Sequence, residues 1–323
     1  RPLEVGLDPA FQELPVEERI RVRRHFWEAY LERLVRDADP ILEELSDAGL
    51  QPSRLWGLFN HLVENPDVDF PTDEVASPKP SELTEVCGQL EELVDRAWEL
   101  MPDHEPQRSW DPLQKKLRTL HFTRDVTGWK KPPELFDALS KLCKSGSTPH
   151  KITKNRWKDG DLAKALCDNV NAFGVGDTPA HRLVNRWYGH RYRLAVRLGL
   201  HAARDFAAHR KRTGRLDFQD LLVLTADLLR GNNDVRKQLG RRYRRILIDE
   251  FQDTDPLQAE IMLLLASEPN EEEPEGDEPP LATDWRSVAP REGALFVVGD
   301  PKQSIYRFRR ADIQLYGFVK ARF

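Results

Sequence analysis

The sequence predicts a mostly α-helical chain with a small α/β part near its carboxyl end. Three observations predict it. Apolar residues recur at the helical period through about the first two hundred positions. The period gives way to short β-rich apolar runs only after 244, and those runs, ILID at 246 to 249 and ALFVV at 294 to 298, flank one further helical stretch. With 39% hydrophobic and 32% charged residues among 323, the chain suits two or three domains of helices with well-solvated faces.

The first expected helix runs from Pro15 to about Asp37 and puts Ile20, Trp27, Leu31 and Leu34 on one stripe. Asp39 and Pro40 form an N-cap and N1 pair for a short helix that Gly49 closes. Ser81 is expected to cap a longer helix, in which Val86, Leu90, Leu93, Ala97 and Leu100 follow the helical period. Further helices are expected at 111 to 121, 133 to 144 and 161 to 173. Thr178 and Pro179 open a helix of about thirty residues ending near Gly214, long enough to act as a strut between two bodies. LDFQDLLVLTADLLRG follows as an amphipathic helix, with Asp217 as its cap and Gly231 as its terminator. After the first strand, Asp255 and Pro256 open a helix to about Ser267, so strand, helix, loop and strand make a right-handed βαβ unit. The acidic, proline-rich stretch at 268 to 290 reads as a solvated loop in that crossover.

The net charge of −5 hides an uneven distribution. Residues 108 to 164 hold fourteen Lys or Arg against six acids, and 204 to 245 hold twelve against five. Residues 268 to 284 hold eight acids and no base, so two zones suit a polyanion and one repels it. No apolar run approaches the roughly twenty residues of a membrane span, and the amino end lacks a signal-peptide pattern, so a cytoplasmic protein without membrane contact is expected. The chain begins at Arg1 and stops at Phe323 inside a helical pattern, as expected of a piece of something larger. Cys87, Cys143 and Cys167 are too widely spaced for a metal knuckle and read as buried reduced thiols. The histidines are scattered, so capping or surface roles are expected and a metal site is not.

The chemistry lies in RRILIDEFQDTDPLQ at 244 to 258 and LFVVGDPKQSIYRFRRAD at 295 to 312. Each reads as a buried strand that delivers polar residues at its carboxyl end, where an open α/β sheet builds its ligand site. Asp249 is suited to hold Mg²⁺, directly or through water, because a hard cation takes carboxylate oxygen and keeps several waters. Glu250 emerges one residue on, where it can orient or deprotonate an attacking water. Taken alone, this dipeptide suits a solvated edge or a helix start equally. Tyr306 and Phe308 alternate with Arg307 and Arg309, giving faces for bases and cations for phosphates; packing against the sheet edge is the other reading. TGWKKPP at 127 to 133 and HKITKNRWKDGD at 150 to 161 set Lys151, Lys154, Arg156 and Lys158 beside Trp129 and Trp157. They suit a sequence-independent grip on phosphate backbone, or a solvated loop with its tryptophans buried as hinges. No Gly-x-x-x-x-Gly-Lys-Ser/Thr occurs, and no Gly is followed by Lys, so the phosphate-cradling half of an ATP site is missing.

Together, DEFQDTDPLQ and GDPKQSIYRFRRAD closely resemble motifs II and III of the UvrD/Rep-type superfamily 1 DNA helicases. LDFQDLL at 216 to 222 resembles a block that precedes motif II in that family, and the helical front, opening RPLEVGLDPAF, looks most like the AddA and RecB helicase-nuclease branch. The resemblance is firm over 216 to 323 and loose over 1 to 215. It implies an all-helical 1B-like DNA-arm domain over 1 to 215 and part of a RecA-like, P-loop NTPase motor domain with a parallel sheet over 216 to 323. It implies ATP and Mg²⁺ as cofactors, with Asp249 on the metal, Glu250 activating water and Gln303 sensing the γ-phosphate. Tyr306 and Phe308 would touch single-stranded DNA with Arg309 beside them, while Lys151, Lys154, Arg156 and Lys158 would meet duplex DNA from the arm. Two features depart from the family pattern. Phe308 stands where Trp is usual, and the acidic loop lengthens the spacing between the motifs.

The implied activity is that of an ATP-dependent 3′ to 5′ DNA helicase and translocase in double-strand break repair and recombination, at the bacterial nucleoid. Its implied partners are DNA, the rest of a parent helicase chain, and a separate nuclease or helicase chain. Without a phosphate loop and a second motor domain, this chain alone is expected to be silent as an ATPase. The alternative is a non-catalytic DNA-binding or scaffold module with remnant motor motifs, which would need neither Asp249 nor Glu250.

Overall fold

The computed structural model describes residues 2–73, 75–143, 148–268, 284–303 and 313–321. A 3₁₀ turn at Pro2–Val5 and strand β1 (Gln12–Glu13) precede helices α1 (Val16–Arg36), α2 (Ile41–Asp47), α3 (Trp56–Glu64) and α4 (Pro80–Leu100). Then come α5 (Pro112–Thr127), α6 (Pro132–Leu142), α7 (Gly160–Gly174) and α8 (Pro179–Thr213). Strand β2 (Arg215–Leu216), α9 (Phe218–Gly231), α10 (Asn233–Arg242), β3 (Ile246–Ile248), α11 (Pro256–Ala266), β4 (Leu295–Val297) and α12 (Ile313–Lys320) complete the order. The chain is mostly α with a small α/β part, as the patterning predicts.

Contacts gather the chain into two compact units. One comprises Arg1–Phe26, His61–Asp69 and Ala203–Phe323; the other comprises Trp27–Asn60 and Phe70–Ala202. This differs from the expected single cut at 215. The reason is a parallel pairing of β1 with β2, Gln12 opposite Arg215 and Glu13 opposite Leu216, which joins the amino-terminal strip to the carboxyl-terminal unit.

In the helical unit, α4 packs on α5 and α7, and α6 on α5 and α7. Leu90, Leu120, Leu139, Leu142 and Val170 are wholly buried there, each contributing about 1.5–3 kcal/mol relative to exposure. Caps fix where these helices begin. Asp111 and Gln114 form a reciprocal capping box for α5, which ends at Gly128 with φ +67°. Helix α4 starts one residue before the expected cap, because Pro80 occupies its first position and Lys79 the cap position. Proline suits that place, since its fixed φ is helical and the N–H it lacks would have no partner. His150 is buried rather than at the surface, and its Nε2 lies 2.9 Å from Leu142 O at the end of α6, so it caps from inside.

In the other unit, β3 and β4 pair in parallel, with Ile246, Leu247 and Ile248 opposite Leu295, Phe296 and Val297. Helix α11 lies between them in sequence, giving the expected strand–helix–strand order, and α9 packs on α11. Ile248, Phe251, Leu263, Leu264, Leu295 and Val319 form the core beneath the sheet. The opposite face is bare: Leu247 and Phe296, paired in register, are 76% and 63% exposed. Residues 269–283 of the acidic stretch lie outside the described residues. Its last residues are not solvated, since Trp285 and Val288 are buried in the same core. Among the described residues, no helix is long and apolar enough to cross a membrane.

Candidate active site

The site is built where β3 and β4 end side by side. Ile248 turns into the core, and the next two residues, Asp249 and Glu250, leave the sheet exposed. Pairing continues past the strands. Val298 N–H donates to Ile248 O at 2.8 Å and Phe251 N–H to Val298 O at 3.0 Å, so the two tails leave the sheet together. Glu250 has φ +55°, a left-handed conformation strained for a residue with a side chain. Its N–H turns back to Asp249 Oδ1 at 2.9 Å. A 3₁₀ turn at Phe251–Asp253 follows, anchored by the buried Phe251, and Asp255 then caps α11 by accepting from Gln258 N–H at 2.9 Å.

On the facing side, β4 leads into Gly299, Asp300 and a 3₁₀ turn at Pro301–Gln303. Asp300 organises that turn: Oδ1 accepts from Lys302 N–H at 3.0 Å, Oδ2 from Gln303 Nε2 at 3.2 Å, and its carbonyl from Gln303 N–H at 2.9 Å. The Tyr316 hydroxyl of α12 donates to Gly299 O at 3.0 Å and ties the turn to the helix.

Gln252 joins the two sides. It is 2% exposed, its Nε2 donates to Glu250 Oε2, and its Oε1 accepts from Asp300 N–H at 2.9 Å. A Cβ on Gly299 would lie 2.6 Å from Gln252 Oε1, so glycine is required for the tail of β4 to pass so close. Glu250, Gln252, Asp300 and Gln303 thus form one hydrogen-bonded chain, with Asp249 attached at its start. The three residues singled out for nucleotide chemistry lie in one loop cluster. Gln252 and Asp300, which join them, were missed. The available signal was a lone neutral donor and acceptor, Gln252, among the carboxylates of the first motif.

Asp249 and Glu250 offer hard oxygen donors, and Asp253 Oδ1 is buried with no hydrogen-bond partner among the described residues. Among those residues no cluster of three or more His, Cys, Asp or Glu could hold a metal by itself. Such a partial donor set fits Mg²⁺, which keeps waters and substrate phosphate oxygens among its ligands. Tyr306, Phe308 and Arg309 lie outside the described residues.

The basic loop of the helical unit differs from an aromatic grip. Trp129 and Trp157 are buried, and Trp157 Nε1 donates to Asp111 Oδ2 at 2.8 Å, so the hinge reading holds for both rings. Lys154 pairs with Asp161 at 2.7 Å and Lys158 with Asp103 at 2.9 Å. Each lysine holds its partner carboxyl below the ordinary value. Arg156 donates to Ser109 O at 3.1 Å, and Lys151 is exposed. Exposed pairs of this kind are worth about 0–1 kcal/mol, so a phosphate can displace them.

Comparison with known proteins agrees with this architecture. Residues 106–323 match the UvrD/REP helicase N-terminal domain, and the chain belongs to that family. It is 34% identical to the AddA-type ATP-dependent helicase/nuclease of Listeria monocytogenes over 71% of this chain and 15% of that protein. The protein of the same name from Limosilactobacillus fermentum is 26% identical over 97% of this chain and 25% of its own length. A probable DNA helicase II homolog of Mycoplasma genitalium is 35% identical over 30% of this chain and 10% of its own length. The chain therefore spans a quarter or less of the length of these relatives.

Proposed function

We propose that this chain is part of the motor of an ATP-dependent DNA helicase of the AddA type, moving 3′ to 5′ on single-stranded DNA in double-strand break repair. Its place is the bacterial cytoplasm, at the nucleoid. In this reading Asp249 takes Mg²⁺ and Gln303 senses the γ-phosphate. Water oxygen bonds to the γ-phosphorus, Glu250 accepts the water's proton, and ADP leaves with the electron pair of the broken P–O bond. The helical unit acts as a duplex-contacting arm through Lys151, Lys154, Arg156 and Lys158, and Tyr306, Phe308 and Arg309 meet the single strand. The remainder of a longer parent chain supplies the phosphate cradle and the second motor domain, and a separate nuclease or helicase chain is its partner.

The hydrogen-bonded chain from Glu250 to Gln303 carries this reading, because it joins a base candidate to a phosphate-sensing candidate across two strand ends. The test is Glu250→Gln in the complete parent chain. DNA-stimulated turnover should fall about 10²–10⁴-fold, the usual share of a general base, with ATP binding kept. Unaltered turnover would leave the binding-module reading. The present chain alone should show no ATPase.

A further inference from the structure

We propose that Gln252 is a positioning residue that sets the Glu250 carboxylate by tying it to the turn carrying Gln303. This rests on the reading of Glu250 as the base. Three observations carry it. The Gln252 carboxamide is buried between the two strand tails and spends its donor on Glu250 and its acceptor on Asp300. Gly299 leaves room for that carboxamide and for nothing larger than a hydrogen of its own. Glu250 itself sits in a left-handed conformation on an exposed turn, where its side chain needs an outside constraint to keep one direction.

The chemistry explains why an amide is wanted. A carboxylate that is to receive a proton from water must remain ionised, accept a hydrogen bond that fixes its orientation, and keep one oxygen free. A neutral N–H donor on Oε2 does all three, whereas a cation would lower the basicity of the carboxylate. The same amide accepts from the Asp300 backbone. A shift of the Asp300–Gln303 turn therefore pulls on Oε1 and rotates Nε2 against Glu250. Nucleotide sensing by Gln303 and the aim of Glu250 become one rigid event.

The test uses the complete parent chain with DNA-stimulated ATPase as readout. Gln252→Ala should lower kcat about tenfold to a hundredfold, the scale of a misplaced catalytic group, with KM for ATP changed less than about threefold. Gln252→Glu keeps the acceptor for Asp300 N–H but sets a second carboxyl against Glu250. When protonated, that carboxyl donates to Glu250 as the amide does; when ionised, it repels. Its deficit against wild type should therefore shrink as pH falls, while the deficit of Gln252→Ala stays level. Gly299→Ala, which displaces the carboxamide without touching it chemically, should reproduce the kcat loss of Gln252→Ala. If Glu250→Gln abolishes turnover but these variants leave kcat intact, or lose activity only in step with melting temperature and without the pH signature, the positioning role is overturned and the base assignment stands. If Glu250→Gln is itself active, both fall.

Discussion

Arg210 should hold the amino-terminal strip, the end of α8 and the start of α9 together, and replacing it by Met tests this. Its guanidinium, 7% exposed, lies 3.0 Å from Asp217 and 2.6 Å from Asp220 and stacks 4.3 Å over Phe206. Arg23 of α1 adds a second cation, 3.7 Å from Asp217 and 2.6 Å from Glu64. Two buried cations thus face two buried carboxylates, and Arg210→Met keeps the apolar stem while removing one charge. Breaking one side of such a pair costs about 3–5 kcal/mol, because it strands the other side in a poorly solvated place. The cost should depend on pH. Burial has pushed the Asp220 carboxyl up to about 6 even with Arg210 beside it, and loss of the cation pushes it further. A raised carboxyl contributes stability below its unfolded value of 3.8 that is lost as pH rises through the folded value. The deficit of Arg210→Met should therefore be full near about pH 8 and much smaller near about pH 5, where Asp220 takes up a proton. Urea unfolding of both proteins at the two pH values measures it. A deficit below about 1 kcal/mol at the higher pH, or one equal at both, would refute a buried charge cluster.

Two further outcomes follow from the helical unit. Asp111 is wholly buried and accepts from Gln114 N–H, Thr153 N–H and Trp157 Nε1, so Asp111→Ala should destabilise by about 3 kcal/mol or more in thermal or chemical unfolding. Replacing Lys151, Lys154, Arg156 and Lys158 with Gln should leave stability within about 1 kcal/mol, since their partners are surface groups. The same variant should bind duplex DNA more weakly, with the log–log salt slope flattened by up to about 3–4; an unchanged slope would exclude these residues from the DNA contact.

The helices and the strand–helix–strand order were legible because both depend on local periodicity and on caps a few residues away. Asp217, Asp255 and Asp39 announce helix starts, and each accepts the expected backbone N–H, Asp39 from Ile41 at 2.9 Å. The pairing of Gln12 with Arg215 was not legible. Two residues on each side carry no alternation, and their partners are separated by about two hundred positions. The fate of Trp129 and Trp157 was open for a related reason. Basic neighbours in sequence say nothing about which way a ring turns. For Trp157 that is decided by Asp111, a helix cap whose second oxygen meets the indole across the fold.

The site divides along the same line. Asp249 and Glu250 follow from a strand that buries Ile248 and must then leave the sheet, so their exposure at a strand end can be read from alternation alone. Gln252 cannot, because its amide acquires a purpose only when the tail of β4 is beside it, and Asp300 lies 48 residues away. Gly299 is equally silent, since the space it leaves is defined by Gln252 Oε1 and the space Gln252 fills is defined by Gly299. Neither residue is unusual alone; each constrains the other. A joint constraint of this kind predicts that Gly299→Ala and Gln252→Ala together cost less than the sum of the two, because the first substitution has already displaced what the second removes.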